Sequence, residues 1–193
     1  MPGERLAVAQ RLPVTLVPSS IDRLWIFRAA YGTDVADPML LKWWSSAEMS
    51  AIMTTLQQYR ARTILSLEWL ERYLKTGEWG RGIMLGPWIA RQHIRALLGV
   101  LRRYPSYELG LLDTQPDFSF VQKGSAAVVY GCLDPEAVAP PAGIALQFSG
   151  QGFAYRFREY FDEQWAGLPG ERKDRQAVIA WLDERLRADE AAD

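Results

Sequence analysis

The single histidine of this sequence, His93, limits the catalytic chemistry that the chain can support. A zinc site with several histidine ligands needs more than one imidazole, and the only cysteine, Cys132, cannot complete a Cys/His cluster with it. A Ser-His-Asp triad would have to use His93, which lies between Arg91 and Arg95 in a predicted helix. We therefore expect a surface or half-buried helical histidine, with no catalytic residue and no metal site.

The glycines of the chain do not have the spacing of phosphate-binding loops. No G-x-x-x-x-G-K-[ST] segment is present, and Gly80-Arg81-Gly82 is too short for a dinucleotide fingerprint and precedes a strand candidate rather than following one. The nucleophile elbow G-x-S-x-G is missing as well. The sequence therefore predicts no cofactor.

Carboxylates are frequent, but most of them stand at helical spacing from basic residues. Glu68 and Arg72 are four residues apart, which is the spacing of a solvated ion pair on one helix face, and Glu159 lies near Arg156 in the same way. Such pairs indicate surface structure rather than catalysis. A small hydrolase with a pair of acidic residues, as in glycosidases, is one functional alternative.

Four arginines follow one predicted helix and could contact phosphate groups. They are Arg91, Arg95, Arg102 and Arg103. The same residues are also typical of a solvated helix face opposite an apolar stripe. The chain has 22 Lys and Arg against 23 Asp and Glu, whereas dedicated nucleic-acid binders usually have a clearly basic balance. A nucleic-acid- or defence-associated accessory subunit that uses this arginine helix is a second alternative.

The length of 193 residues fits one domain, and the composition gives its setting. No apolar run approaches the roughly 18–20 residues of a membrane span, and one cysteine allows no internal disulfide. We therefore expect a cytoplasmic protein with no membrane contact. Prolines at three positions suggest a flexible N-terminal arm or linker over residues 1–20, followed by a single α/β domain over 21–188 and a disordered acidic tail over 189–193.

Short apolar runs alternate with helical patterns in the first half of the chain, and strands dominate later. The predicted strands cover residues 24–27, 63–67, 82–86, 107–112, 118–123, 126–133 and 143–148. The predicted helices cover residues 39–59, 68–74, 94–104, 152–166 and 174–187. Lys123-Gly124-Ser125 is predicted to form a tight hairpin turn. This order predicts an α/β fold with a mixed, partly parallel sheet that is covered by helices and ends in C-terminal helices.

In open α/β sheets, ligands bind beyond the carboxyl ends of the parallel strands. Arg28 and Tyr31 follow the first predicted strand, and Glu68 and Trp69 follow the second. Trp88 reaches the same edge if the third predicted strand is parallel. A cation, an anion and aromatic surfaces suit a small polar or phosphorylated ligand. The alternative is that Arg28 and Glu68 pair with each other over a packed Trp69.

Residues 107–112, 118–130, 143–148 and 155–165 follow one another in the order of a phospholipase-D-like domain. The chain resembles the degenerate version that is attached to bacterial and archaeal transcription regulators, including the TrmB-type sugar-responsive regulators. In that version a strand pair forms a hairpin and a closing aromatic helix ends in a Phe-x-x-x-Trp pattern, which Phe161 and Trp165 match. The resemblance covers residues 21–166.

The resemblance implies a domain without catalysis. Catalytic members of the family carry H-x-K-x4-D, whereas His93 is followed by Ile94 and Arg95, and Val100 stands at the aspartate position. A non-catalytic ligand-sensing or oligomerisation domain of transcription-regulator type is therefore expected. These regulators also carry an upstream helix-turn-helix, which this sequence does not show, and this argues against direct DNA binding.

The aromatic content predicts self-association. Trp43, Trp44 and the aromatic helix over residues 152–166 offer more apolar surface than one small domain readily hides. Regulators of the kind that the chain resembles usually act as symmetric dimers. We therefore expect a homodimer.

Overall fold

The computed structural model describes residues 4–9, 60–80, 83–116, 118–130 and 145–191 of the chain. Several features predicted from the sequence lie outside these residues. They are the strand over 24–27, the helix over 39–59, and Arg28, Tyr31, Trp43, Trp44 and Cys132.

The described residues form eight strands and four α-helices. The strands are β1 (Arg5–Ala9), β2 (Ala61–Ser66), β3 (Glu78–Gly80), β4 (Ile83–Met84), β5 (Tyr107–Leu112), β6 (Ser119–Lys123), β7 (Ala126–Tyr130) and β8 (Ala145–Ser149). The helices are α1 (Leu67–Thr76), α2 (Pro87–Arg103), α3 (Gln151–Gly167) and α4 (Arg175–Glu190), and a 3-10 turn (Gly170–Arg172) precedes α4.

Six of these strands form one mixed sheet in the order β5-β2-β1-β6-β7-β8. β1 pairs with β2 and β2 pairs with β5 in parallel, whereas β6, β7 and β8 continue from β1 in antiparallel pairs. The predicted α/β fold with a mixed, partly parallel sheet is confirmed. Gly124 has φ 59°, as the turn between β6 and β7 requires, so the predicted hairpin is confirmed as well.

The first correction concerns the N-terminal arm predicted over residues 1–20. Residues 5–9 are instead the central strand β1, in which Leu6 and Val8 are buried and which pairs on both sides. The arm was predicted from prolines, but Pro2 and Pro13 flank the strand and do not interrupt it. A short apolar run such as Leu-Ala-Val-Ala is what a strand buried on both faces requires.

The second correction concerns the strand predicted over residues 82–86. Among the described strands, β4 pairs with β3 alone, in an antiparallel two-stranded sheet apart from the main one. Gly77 ends α1 in the left-handed conformation, and the Leu85 amide donates to its carbonyl oxygen at 2.9 Å. The backbone of Gly86 lies so close that a Cβ on Gly77 would be 2.1 Å from the Gly86 carbonyl carbon. This segment therefore folds back onto the end of α1.

The acidic tail was predicted to begin at residue 189, but α4 continues to Glu190. Asp189 forms an ion pair with Arg91 of α2 at 3.3 Å, and this contact extends the helix beyond the point where the apolar pattern ends. The predicted helices over 68–74, 94–104, 152–166 and 174–187 are confirmed. α1 and α3 extend slightly beyond the predicted bounds at both ends, whereas α2 begins seven residues earlier than predicted, at Pro87, and α4 ends three residues later, at Glu190.

The sheet separates two apolar cores. α1, α2 and α4 pack on one face, where Leu65 of β2 is buried. α3 packs on the other face, where Ile64 of β2 is buried, because successive side chains of a strand point to opposite faces. α3 crosses the sheet from β8 to β5: Phe153 near its start contacts Phe148, and Trp165 near its end lies against Gly110.

Candidate functional site

The structure does not assemble the predicted ligand site from the residues that it describes. Glu68 is exposed in the first turn of α1, but Trp69 is buried and its indole N–H donates to the Trp79 carbonyl oxygen at 2.8 Å. Trp88 is 68% exposed and follows β4, which is not part of the main sheet. Trp69 thus lies in the core, and ligand binding at this edge of the sheet stays a prediction. The Ser66 hydroxyl oxygen caps α1 by accepting a hydrogen bond from the Trp69 amide at 3.1 Å. This cap fixes the start of the helix so that the Trp69 side chain faces the core.

Trp69, Tyr73, Trp79 and His93 form one buried aromatic cluster. The rings of Trp69 and Tyr73 are stacked with centroids 4.8 Å apart, and Trp79 meets both of them edge-on. The Tyr73 hydroxyl and Nδ1 of His93 are 2.6 Å apart. The expectation of a surface or half-buried His93 is therefore wrong, because its side chain is fully buried.

The position of His93 in α2 explains its burial. His93 lies on the same helix face as Ala90, Ile94 and Leu97, which are all buried. This spacing of three and four residues was visible in the sequence, but the flanking arginines pointed to a surface position. A general acid or base must reach the proton of a substrate. An imidazole that is fully buried, packed against the rings of Tyr73 and Trp79 and hydrogen-bonded to the Tyr73 hydroxyl instead serves packing.

Acidic residues of α4 engage two of the four arginines along α2. Arg91 pairs with Asp189, and Arg102 pairs with Asp183. The guanidinium of Arg103 lies 5.6 Å from the centre of the Tyr104 ring. The arginine helix is therefore part of an antiparallel contact with α4, where charges of opposite sign meet. Arg95 is exposed on the same helix.

The ion pairs predicted within helices are only partly correct. Arg72 pairs with Glu78 at 3.7 Å rather than with Glu68, because β3 brings Glu78 back beside the end of α1. Arg156 pairs with Glu159 at 3.0 Å, as its position in α3 indicated.

A charged network that was not predicted from the sequence joins α3 to the sheet. Its members are Glu4, Arg62, Arg158 and Asp162. Arg62 donates to Glu4 at 2.8 Å and to Asp162 at 2.9 Å, and Arg158 donates to the second oxygen of Glu4 at 2.7 Å. The only signal in the sequence was a single charged residue, Arg62, at the second position of β2. Its partners are 58 and 100 residues away, so no local pattern could have found them.

Burial and charge set the ionisation of this network. Burial of the Glu4 carboxyl raises its pKa, but the hydrogen bonds from Arg62 and Arg158 and their positive charges together outweigh burial, so that the pKa lies below its usual value. The guanidinium of Arg62 also lies 4.9 Å from the centre of the Phe161 ring and 5.5 Å from that of Trp165. The Phe-x-x-x-Trp ending of α3 therefore packs over a cation. This arrangement suits a permanent clamp rather than proton transfer.

Two groups of large apolar side chains include exposed members. Met84 and Trp88, both exposed, form a hairpin patch at β4 and the start of α2. Leu146 and Phe153, both exposed, form a second group with the half-buried Phe148, and we call this group the edge surface. Leu146 and Phe148 lie on the α3 side of β8, opposite Val129 and Ala127 of β7, and the Phe153 ring is 5.4 Å from that of Phe148. Grouped apolar residues of this kind mark interaction sites.

Comparisons of this chain with protein-family models, with curated proteins and with solved structures found no match. The resemblance to phospholipase-D-like domains therefore depends on the order of strands and on the aromatic ending of α3. Among the residues that the structure describes, no group of three or more His, Cys, Asp or Glu side chains is placed to hold a metal ion. Within the same residues, no helix has the length and apolar character to cross a membrane.

Proposed function

We propose that this chain is a non-catalytic oligomerisation domain of the transcription-regulator type that its second half resembles. The observation that carries the proposal is the edge surface. Leu146 is 45% exposed and belongs to β8, the last strand of the described sheet, and Phe153 is 55% exposed and lies beside that strand. A second copy of the chain would remove this apolar area from water, which is the dominant favourable term in association.

The roles of the ionisable side chains support a function without catalysis. His93 is enclosed in the aromatic cluster, and Arg62 holds Glu4 and Asp162 between the sheet and α3. Arg91 and Arg102, which a nucleic-acid-associated function would use, face carboxylates of α4. The polar groups with the greatest catalytic potential thus stabilise the fold.

The proposal is tested by measuring the mass of the full chain in solution with light scattering. At tens of micromolar we expect twice the monomer mass of 21.9 kDa. Phe153→Glu places a charge on the edge surface and should return the mass to that of the monomer. Met84→Glu is the matched control, since Met84 is 63% exposed but belongs to the hairpin patch.

The two variants separate the possible outcomes. A dimer that only Phe153→Glu dissociates supports the proposal. A parent chain that is monomeric, or a dimer that dissociates in Met84→Glu and not in Phe153→Glu, contradicts the assignment of function to the edge surface.

A further inference from the structure

The two edges of the described sheet differ in how they are protected against pairing. β5 carries Glu108, which forms an ion pair with Arg60 at 2.8 Å, and the 3-10 turn Gly170–Arg172 packs against this strand. Charges and covering segments are the usual means of blocking an edge. β8 has the sequence Ala-Leu-Gln-Phe-Ser, without a charge or a proline, and none of the described strands pairs with its outer side.

The outward-facing backbone groups of β8 follow from one hydrogen bond. The Gly150 amide donates to the Ser125 carbonyl oxygen at 2.9 Å, so the backbone N–H of residue 150 is directed toward β7. Because the direction of the backbone hydrogen-bonding groups alternates along an antiparallel strand, the N–H and C=O groups of Phe148 and Leu146 are also directed toward β7. The N–H and C=O groups of Ala145, Gln147 and Ser149 therefore point away from the sheet.

From this geometry we infer that β8 pairs antiparallel with β8 of a second copy, across a two-fold axis at Gln147, to make one continuous sheet. In this register Gln147 stands opposite Gln147 of the second copy, and Ala145 stands opposite Ser149. Each outward-facing residue then exchanges both of its backbone hydrogen bonds. Within the five described residues of β8, a register centred on Leu146 or on Phe148 leaves one outward-facing residue without a partner.

The side chains of β8 fit the same register. Leu146 meets Phe148 of the second copy on the α3 side of the sheet, next to Phe153. Apolar pairs of this kind are the unit of sheet stabilisation. The strand is thus complementary to itself in both backbone and side chains, and this favours a second copy over an unrelated peptide. A two-fold axis gives the closed dimer that is commonest among soluble oligomers.

This inference rests on the proposed oligomerisation function and adds the strand and the register. The test replaces the only native cysteine, Cys132→Ser, and introduces Gln147→Cys in the full chain. Two facing Cα atoms in a hydrogen-bonded antiparallel pair are about 5.5 Å apart, within the range of a disulfide. Ser149→Cys is the control on the same strand and the same face, and its two copies would be about 14 Å apart.

We expect Gln147→Cys to form disulfide-linked dimers on mild oxidation at least about tenfold faster than Ser149→Cys, because only the first pair is within disulfide range. A second variant, Gln147→Pro, removes an outward N–H that β7 does not use, and proline is tolerated at such positions of edge strands. It should give a folded monomer with an unchanged circular dichroism spectrum.

The outcomes distinguish this inference from the proposed function. If the parent is dimeric but Gln147→Cys and Ser149→Cys cross-link equally, or Gln147→Pro stays dimeric, the β8 register is wrong and oligomerisation stands. If the parent is monomeric and neither cysteine cross-links, both proposals are overturned.

Discussion

Replacement of Arg62 by methionine should destabilise the protein far more than the same change at Arg60. Both arginines bind carboxylates, and they are two positions apart on the chain. Arg62 is 11% exposed and bridges the sheet and α3, whereas Arg60 is 57% exposed and pairs only with Glu108 among the residues that the structure describes. Methionine keeps most of the aliphatic stem in each case, so the difference reports the guanidinium.

The magnitude follows from the contacts that are lost. The hydrogen bond from Arg62 to Glu4 joins two charged groups that are largely buried and is worth about 1.5–3 kcal/mol. The pair with Asp162 is largely exposed and adds about 0.5 kcal/mol. The contacts with the rings of Phe161 and Trp165 add about 0.5–1 kcal/mol. Arg62→Met should therefore lower the free energy of unfolding by about 3 kcal/mol, and Arg60→Met by less than about 1 kcal/mol.

The assay is urea unfolding followed by tryptophan fluorescence, at one protein concentration because association adds to apparent stability. The midpoint should fall for Arg62→Met while the dependence on urea stays the same. Equal losses for the two variants would refute the conclusion that the charged network clamps α3 to the sheet.

Three further changes test other parts of the structure. Because the pKa of Glu4 in the folded state lies below the ordinary value of 4.5, the ionised carboxylate stabilises the fold above that pH. This stabilisation is lost as the pH falls through the lower folded-state pKa. Glu4→Gln should therefore lose less stability below pH 4.5 in acid titrations than the parent chain does. Tyr73→Phe removes the hydroxyl that contacts His93 and should cost about 1–3 kcal/mol by urea unfolding; no measurable change would contradict the buried hydrogen bond. Gly77→Ala should lower the free energy of unfolding by more than about 2 kcal/mol, because the new Cβ would meet the backbone of Gly86 and because φ is positive at this position. Gly99→Ala, in open space on α2, should instead raise it by about 0.5–1 kcal/mol in the same assay. Equal effects would refute the close contact at Gly77.

The parts of the fold that were predicted correctly carry strong local patterns. α2 and α3 have apolar stripes at helical spacing, and the strands β5, β6 and β7 are bounded by turn residues. β1 was missed because five residues are too few for a period to show, and because only its neighbours in the sheet identify it as central.

The candidate site was harder to predict, since it depends on contacts between distant residues. The burial of Trp69 depends on Tyr73 and Trp79, whose rings pack against it, and Trp79 belongs to a strand that no pattern placed beside α1. The network around Arg62 joins Glu4 to α3 across more than half of the chain. In contrast, the direction of the outward-facing groups of β8 needs only one hydrogen bond of the structure and the alternation of a strand.

The most direct test of the central claim is the mass of the full chain across a dilution series, measured by sedimentation equilibrium. Self-association through β8 predicts a mass of twice 21.9 kDa at tens of micromolar, falling toward the monomer mass on dilution. It also predicts that Gln147→Pro gives the monomer mass at every concentration. A parent chain with a mass of 21.9 kDa throughout the series would contradict the account.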